Sequence, residues 1–404
     1  MKTETMFATD SITPKSEVDK RIVTLQKKLV ENNIAAALIL QKADLFYFTG
    51  TIQDAHLYVP CDNDPILMIY KDLERARAES SIKSIVPLKN IGQICSLLHD
   101  NGYALPRILG MELDVLPANL YFNYKNLFEH AKIIDISHHL RLIRAVKSAY
   151  EIDLIQKAAH LSDQVADSVK EFLHEGITEI ELAGKIEARA RKLGHQGVIR
   201  MRLWGSELFY GHLMAGPSAA VPSYLSSPTG GTGVSPAIAQ GAALRPIQRN
   251  EPVVVDYVFV LNGYMSDHAR IFALGNLPDD LIKAHEAMLK VQTVIKKEAK
   301  PKVKAGKLYD LALALTKELG YEEYFMGVGD SRIRFVGHGI GLELDEYPFL
   351  AKGQELRLEK GMTIALEPKL IFPGKGVVGI ENTHVVTSNG LKQLTHFDEK
   401  IITL

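Results

Sequence analysis

The sequence predicts two domains of different class, an α/β domain followed by an α+β domain of paired helices and antiparallel hairpins. Three observations lead there. The 404 residues exceed what one core usually holds. From about Ser16 to Ile136, short apolar runs alternate with helical or turn-rich stretches. Beyond Ser148, two helix pairs are each followed by strand-rich sequence with paired acidic residues, a repeat that suggests an internal duplication. The expected boundary divides the chain into residues 1–145 and 146–404.

In the first domain a helical stretch ends near Asn32, and the run Ala35 to Leu40 reads as a buried strand. Further strands are expected at Pro65–Tyr70, Arg107–Met111 and Ile133–Ile136, the last running into a linker near Leu140 to Val146. Ser148 with Glu151 three residues on forms a capping box ahead of a long amphipathic helix reaching Phe172. Thr178 with Glu181 repeats the signature, and Gly194 is placed to end that helix. The second helix pair is expected at about Asp279 to Ala299 and Leu308 to Leu319. Between the pairs, Arg200 to Asn250 is irregular. Its Gly230-Gly231-Thr232-Gly233 lacks the lysine and the strand-to-helix context of a phosphate loop, and reads as a connecting or substrate-lining segment.

Composition narrows the function. Lys and Arg number 47 against 48 Asp and Glu, which removes the basic footprint of a nucleic-acid or anionic-membrane binder and favours a small substrate. Two cysteines, Cys61 and Cys95, make neither a disulfide framework nor a thiolate zinc site. Met1 to Lys15 has no apolar core before a cleavage site, and no run reaches the roughly 18 apolar residues that span a bilayer. A cytoplasmic protein is expected.

The strand Val253–Val260 contains Asp256, and Asn262-Gly263 is a favoured two-residue hairpin turn. If Leu261 pairs with Tyr264, Asp256 faces Ala269, and Asp267 lies diagonally on the same sheet face. Two carboxylates this close raise each other's pKa unless a cation lies between them. Glu367 and Glu381 flank the turn Pro373-Gly374-Lys375-Gly376, where a three- or five-residue connection puts both on one face and a four-residue one separates them. His338, between Gly337 and Gly339, is a ligand candidate whose neighbours leave room around the imidazole. Four carboxylates and one imidazole suit two divalent ions such as Mn, Co, Fe or Zn.

With these motifs in view, the chain resembles the pita-bread metallopeptidases, the superfamily of Xaa-Pro dipeptidases and aminopeptidases, methionine aminopeptidases and creatinase. Asp44-Leu45-Phe46-Tyr47-Phe48-Thr49-Gly50 is similar to the family's Asn-x-x-Tyr-x-Thr-Gly, and Arg144 to Ile152 to its Arg-x-x-Lys-Ser-x-x-Glu-Ile. Gly263 to Arg270 resembles Gly-Tyr-x-Ser-Asp-x-Thr-Arg, Gly337 to Gly341 Gly-His-Gly-x-Gly, and Leu366-Glu367-Pro368 the start of Glu-Pro-Gly. The resemblance implies a creatinase-type N-terminal domain and a pita-bread domain with a curved antiparallel sheet. It also implies metal ligands Asp256, Asp267, His338, Glu367 and Glu381, two divalent ions, and a homodimer. Creatinase, which works without metal, has lost that full ligand set.

The implied chemistry is cleavage of a small peptide by a metal-bridging hydroxide, with Glu367 shuttling the proton to the leaving amine. The chain departs from the peptidase pattern at Ala269, Lys369, Ser223 and Asp345. Asp345 stands for a substrate-binding histidine, Ser223 for a second, and His212 is a candidate substitute. The alternative is a pita-bread hydrolase or lyase acting on a small charged non-peptide molecule, with Asp345 as a base.

Overall fold

The computed structural model describes residues 11–207 and 210–404. Of the segments considered above, residues 1–10 and residues 208–209 within Arg200 to Asn250 lie outside the described residues. The chain divides into two compact units, Met1–Arg144 and Ala145–Leu404.

In the first unit, among the described residues, six strands form one mixed sheet. They are β1 (Ala36–Ile39), β2 (Ala55–Pro60), β3 (Ile66–Ile69), β4 (Ser84–Pro87), β5 (Ile108–Met111) and β6 (Lys132–Asp135), in the order β4-β3-β2-β1-β5-β6. Every residue of β1 is buried, as a central strand covered on both faces requires. The helix Lys15–Glu31 buries Val18, Ile22, Leu25 and Leu29, a stripe at three- and four-residue spacing. Two residues of the recognised motifs meet here: Arg144 Nη1 donates to Asp44 Oδ1 at 2.7 Å, both buried. The stretch expected to be a linker is instead helical, Ser137–Ala145. Ser137, Leu140 and Ile143 fall on one buried stripe, and packing of that stripe outweighs the mixed polar composition.

The second unit repeats one element order. Helices Ala149–Phe172 and Glu179–Lys192, each opened by the expected capping box, precede β7 (Gly211–Ala215), β8 (Val253–Tyr257), β9 (Phe259–Leu261), β10 (Tyr264–Ser266) and β11 (Ala269–Ala273). Helices Asp279–Glu298 and Ala305–Glu318 precede β12 (Gly337–Gly339), β13 (Thr363–Leu366), β14 (Lys369–Phe372), β15 (Gly376–Gly379), β16 (Asn382–Thr387) and β17 (Gly390–Gln393), with β18 (Ile402–Thr403) last. One sheet runs β18-β11-β8-β7, another β12-β13-β16-β17, and the pairs β9/β10 and β14/β15 extend their hairpins. The first helix pair packs Val165, Val169, Leu182 and Ile186 against Val253, Val255 and Phe272. The second packs Met288, Val291 and Leu308 against Ile364, Leu366 and Val378.

Two registers position the site. Asn262 and Gly263 both have positive φ, Leu261 pairs with Tyr264, and Asp256 pairs with Ala269, as the turn chemistry implies. In the other hairpin Phe372 pairs with Gly376, a three-residue connection, and Leu366 pairs with Asn382. Both pairs belong to one register, which puts Glu367 opposite Glu381 and resolves the parity in favour of a shared face.

Candidate functional site

A single row of cross-strand neighbours assembles the centre. His212 on β7 pairs with Asp256 on β8, Asp256 with Ala269 on β11, and Ala269 bridges to Glu381, with which it exchanges two backbone hydrogen bonds at 3.3 Å. Directly opposed residues project to one face, so the row carries His212, Asp256 and Glu381 toward the same side. Asp267 lies two residues before Ala269. Its N–H donates to Thr383 Oγ1 at 2.8 Å, and its Oδ1 accepts from His268 N–H at 2.9 Å, leaving Oδ2 directed inward.

Around His338 Nε2 stand Asp267 Oδ2 and Glu367 Oε1, each at 3.8 Å, and Glu381 Oε1 at 3.9 Å. Donor atoms of Asp267, His338 and Glu381 all lie within 4.8 Å of one another. Ligands at about 2.0–2.2 Å from a common ion are separated by roughly 3–4 Å, so this donor set fits a divalent cation. The glycines beside His338 have another use than opening space around the ring. A Cβ on Gly337 would sit 2.5 Å from the Ala365 carbonyl oxygen, and one on Gly339 2.2 Å from that of Tyr347. They let β12 approach its neighbours closely.

The centre contains one residue whose role the sequence reading did not assign. Lys369 Nζ donates to Asp256 Oδ2 at 2.7 Å, Glu367 Oε2 at 2.9 Å and Glu381 Oε2 at 2.7 Å, with the side chain 2% exposed. Lys369 opens β14 two residues beyond Glu367, in the same pairing register, a parity that turns both side chains inward. Its cross-strand partner is Gly379, whose φ of +148° and missing side chain admit the lysine backbone; a Cβ there would lie 2.7 Å from Lys369 Cα.

Electrostatics follow from burial. Asp267 is pushed up to about 7 by desolvation and by the Asp256 charge. Glu381 is raised well above the carboxylate range, first by burial and then by Asp267. For His338 burial opposes the charged form, but the Glu367, Asp345 and Asp267 carboxylates outweigh it and the pKa rises. Lys369 is likewise raised by its carboxylates against the cost of burial. His212, by contrast, is pushed down to about 4 by desolvation.

These residues open on a cavity of about 240 Å³, lined by His212, Asp256, Asp267, His338, Asp345, Glu367 and Glu381 among others. That lies below the roughly 300–1,000 Å³ of typical ligand clefts. The segment Tyr224–Ser227 also lines it, whereas Ser223 and the Gly230–Gly233 stretch are not among the lining residues. Behind the row, buried Arg270 donates to the backbone oxygens of Ala269, Glu381, Phe397 and Asp398 and to Asn382 Oδ1, all at 2.7–2.9 Å. The loop after His338 is fixed by Glu346, whose Oε2 accepts from buried Lys147 at 2.8 Å and whose Oε1 accepts from the N–H groups of Leu342 and Glu343.

Comparison with known proteins gives the family and the fold. Residues 153–388 match Metallopeptidase family M24, and residues 21–146 match the Creatinase/Prolidase N-terminal domain. The chain is 29% identical over 389 residues to an Xaa-Pro dipeptidase of Pyrococcus furiosus, covering 95% of this chain and 99% of the relative. It is 28% identical to an Xaa-Pro dipeptidase of Lactobacillus helveticus, covering 93% and 97%. Among solved structures, the prolidase from Pyrococcus horikoshii OT3 superposes with a TM-score of 0.80 at 25% identity, covering 95% of this chain and all of that one. The Xaa-Pro dipeptidase from Bacillus anthracis gives 0.82 at 24%, covering 96% and 100%. An N-terminal creatinase/prolidase-type domain thus precedes a pita-bread domain, and the chain belongs to metallopeptidase family M24.

Proposed function

We propose that the chain is a divalent-metal-dependent hydrolase of short peptides, of the Xaa-Pro dipeptidase or aminopeptidase type. The observation that carries this reading is the convergence of Asp267, His338, Glu367 and Glu381 donors on one small cavity. Full-length similarity to Xaa-Pro dipeptidases supports it. Asp267, His338, Glu367 and Glu381 would hold the ion, with Asp256 the fifth member of the expected set. Mn, Co, Zn and Fe all suit oxygen-rich ligands with one imidazole. The resemblance implies two ions.

A bound divalent ion supplies Lewis acidity toward the scissile carbonyl and acidifies a water. Glu367 takes the proton of the attacking water and passes it to the leaving amine. Asp345, which lines the cavity and acts electrostatically on His338, offers a carboxylate to the free ammonium of a short peptide. His212, neutral at pH 7 through burial, presents a ring that orients substrate beside Asp256. The reading extends to a cytoplasmic homodimer. Unpaired Cys61 and Cys95 suit a reducing compartment, and no described helix is long and apolar enough to cross a membrane.

A second reading, a hydrolase or lyase for a small charged non-peptide molecule, is favoured by one observation: the cavity presents Asp345 where the family pattern has histidine, and Ser223 does not line it. Proline release from a panel of Xaa-Pro di- and tripeptides, with the metal-free protein reconstituted with Mn, Co or Zn, separates the two. Metal-dependent release supports the peptidase; bound metal without release supports the second reading.

A further inference from the structure

The candidate metal centre already contains a cation of its own. An ammonium has three donors and no acceptor, and Lys369 Nζ directs them to Asp256, Glu367 and Glu381 at 2.7–2.9 Å. Glu367 and Glu381 are both divided between two positions: each turns Oε2 to Lys369 and Oε1 toward His338. That division is how bridging carboxylates hold two cations side by side. One position is the donor cluster at His338; the other is filled by the lysine.

We propose that Lys369 permanently replaces the second ion, so that this chain binds one divalent metal, at Asp267, His338 and Glu381 with Glu367 adjoining, beside a fixed ammonium. The inference rests on the metal-dependent reading above and revises its ion count. Occupancy is mutually exclusive. An ion bound at about 2.0–2.2 Å from the Asp256, Glu367 and Glu381 oxygens would overlap the lysine nitrogen that lies within 2.9 Å of all three. Lysine cannot swing aside at little cost, because the side chain is 2% exposed and moving it breaks three charge-assisted hydrogen bonds.

Charge agrees with the geometry. Four carboxylates, Asp256, Asp267, Glu367 and Glu381, face one ammonium, and one divalent ion brings the set close to neutrality. An ammonium with all three donors engaged offers no open position to water or substrate. Lewis acidity would then come from the single ion alone, and Asp256 is a residue that positions Lys369.

The test is metal stoichiometry of the full chain loaded with Mn²⁺ and freed of weakly held ions by gel filtration, with manganese measured by mass spectrometry and by electron paramagnetic resonance. The wild type is expected to retain one Mn²⁺ per chain with an isolated six-line spectrum. Lys369→Gly and Lys369→Ala are expected to retain two, with an exchange-coupled spectrum. Two ions in the wild type would overturn the inference and leave the metallopeptidase reading intact. One ion in both folded variants would also overturn it, since Lys369 would not be what excludes the second. No ion in the wild type would overturn the inference and the metal-dependent reading together. If neither variant folds, the wild-type count alone decides.

Discussion

Lys147 Nζ and Glu346 Oε2 form a 2.8 Å ion pair in which both side chains are almost fully buried. The pair joins the segment entering the helix Ala149–Phe172 to the loop that carries Asp345 and follows His338. Breaking a buried pair from one side strands a charge at a cost of about 3–5 kcal/mol. Lys147→Met should therefore destabilise the second unit by roughly that amount, as read by urea denaturation. Adding Glu346→Gln should recover part of the loss, because the remaining amide oxygen can still accept from Leu342 and Glu343.

The two aspartates on the β8/β11 face should behave differently toward metal. Asp267→Ala removes a donor beside His338 and is expected to abolish Mn²⁺ retention. Asp256→Asn keeps an oxygen for Lys369 and is expected to leave the count at one. Thermal shift offers a second measure. Mn²⁺ at 100 times Kd stabilises a one-site protein by about 2.7 kcal/mol, an increment the Asp267 variant should lack.

Arg270 spends its guanidinium on holding the backbone behind the ligands. Replacing it with methionine leaves the Ala269, Glu381, Phe397 and Asp398 carbonyls short of a donor. Hydrogen bonds to charged groups are worth about 1.5–3 kcal/mol each, so a loss of at least about 3 kcal/mol is expected. Arg270→Lys, with three donors and no planar fork, should recover only part of it.

His56, in the first unit, is pushed down to about 4 by burial, with Nε2 2.5 Å from Tyr124 Oη. An unfolded histidine titrates near 6.5. Between pH 6.5 and 4 the unfolded chain therefore binds a proton that the folded chain refuses, and stability falls as the pH drops through that window. The contribution is at most about 1.4 kcal/mol per pH unit. In His56→Gln the slope of stability against pH, measured by denaturation across the window, should be shallower by up to that amount.

The sequence shows much of the site and misses its most consequential residue, for physical reasons. Asn262-Gly263 admits one tight turn, so the pairing of Asp256 with Ala269 could be read directly. Pro373-Gly374-Lys375-Gly376 admits several loop lengths, so the facing of Glu367 and Glu381 is fixed by the pairing of Phe372 with Gly376 and not by the turn residues alone. Lys369 was visible only as a replaced glycine. A lone lysine among acids reads equally well as a solvated charge, and only the closed strands turn it inward, opposite Gly379. The strand Gly211–Ala215 escaped because a short apolar run in a glycine- and serine-rich region has no period to betray it, and its pairing with β8 is non-local.

The most direct test is a crystal structure of the Mn²⁺-loaded wild type with anomalous data collected at the manganese edge. One anomalous peak among Asp267, His338, Glu367 and Glu381, with Lys369 still bonded to Asp256, is expected. Two peaks with Lys369 displaced would contradict the single-ion centre, and no peak would contradict the metal-dependent hydrolase itself.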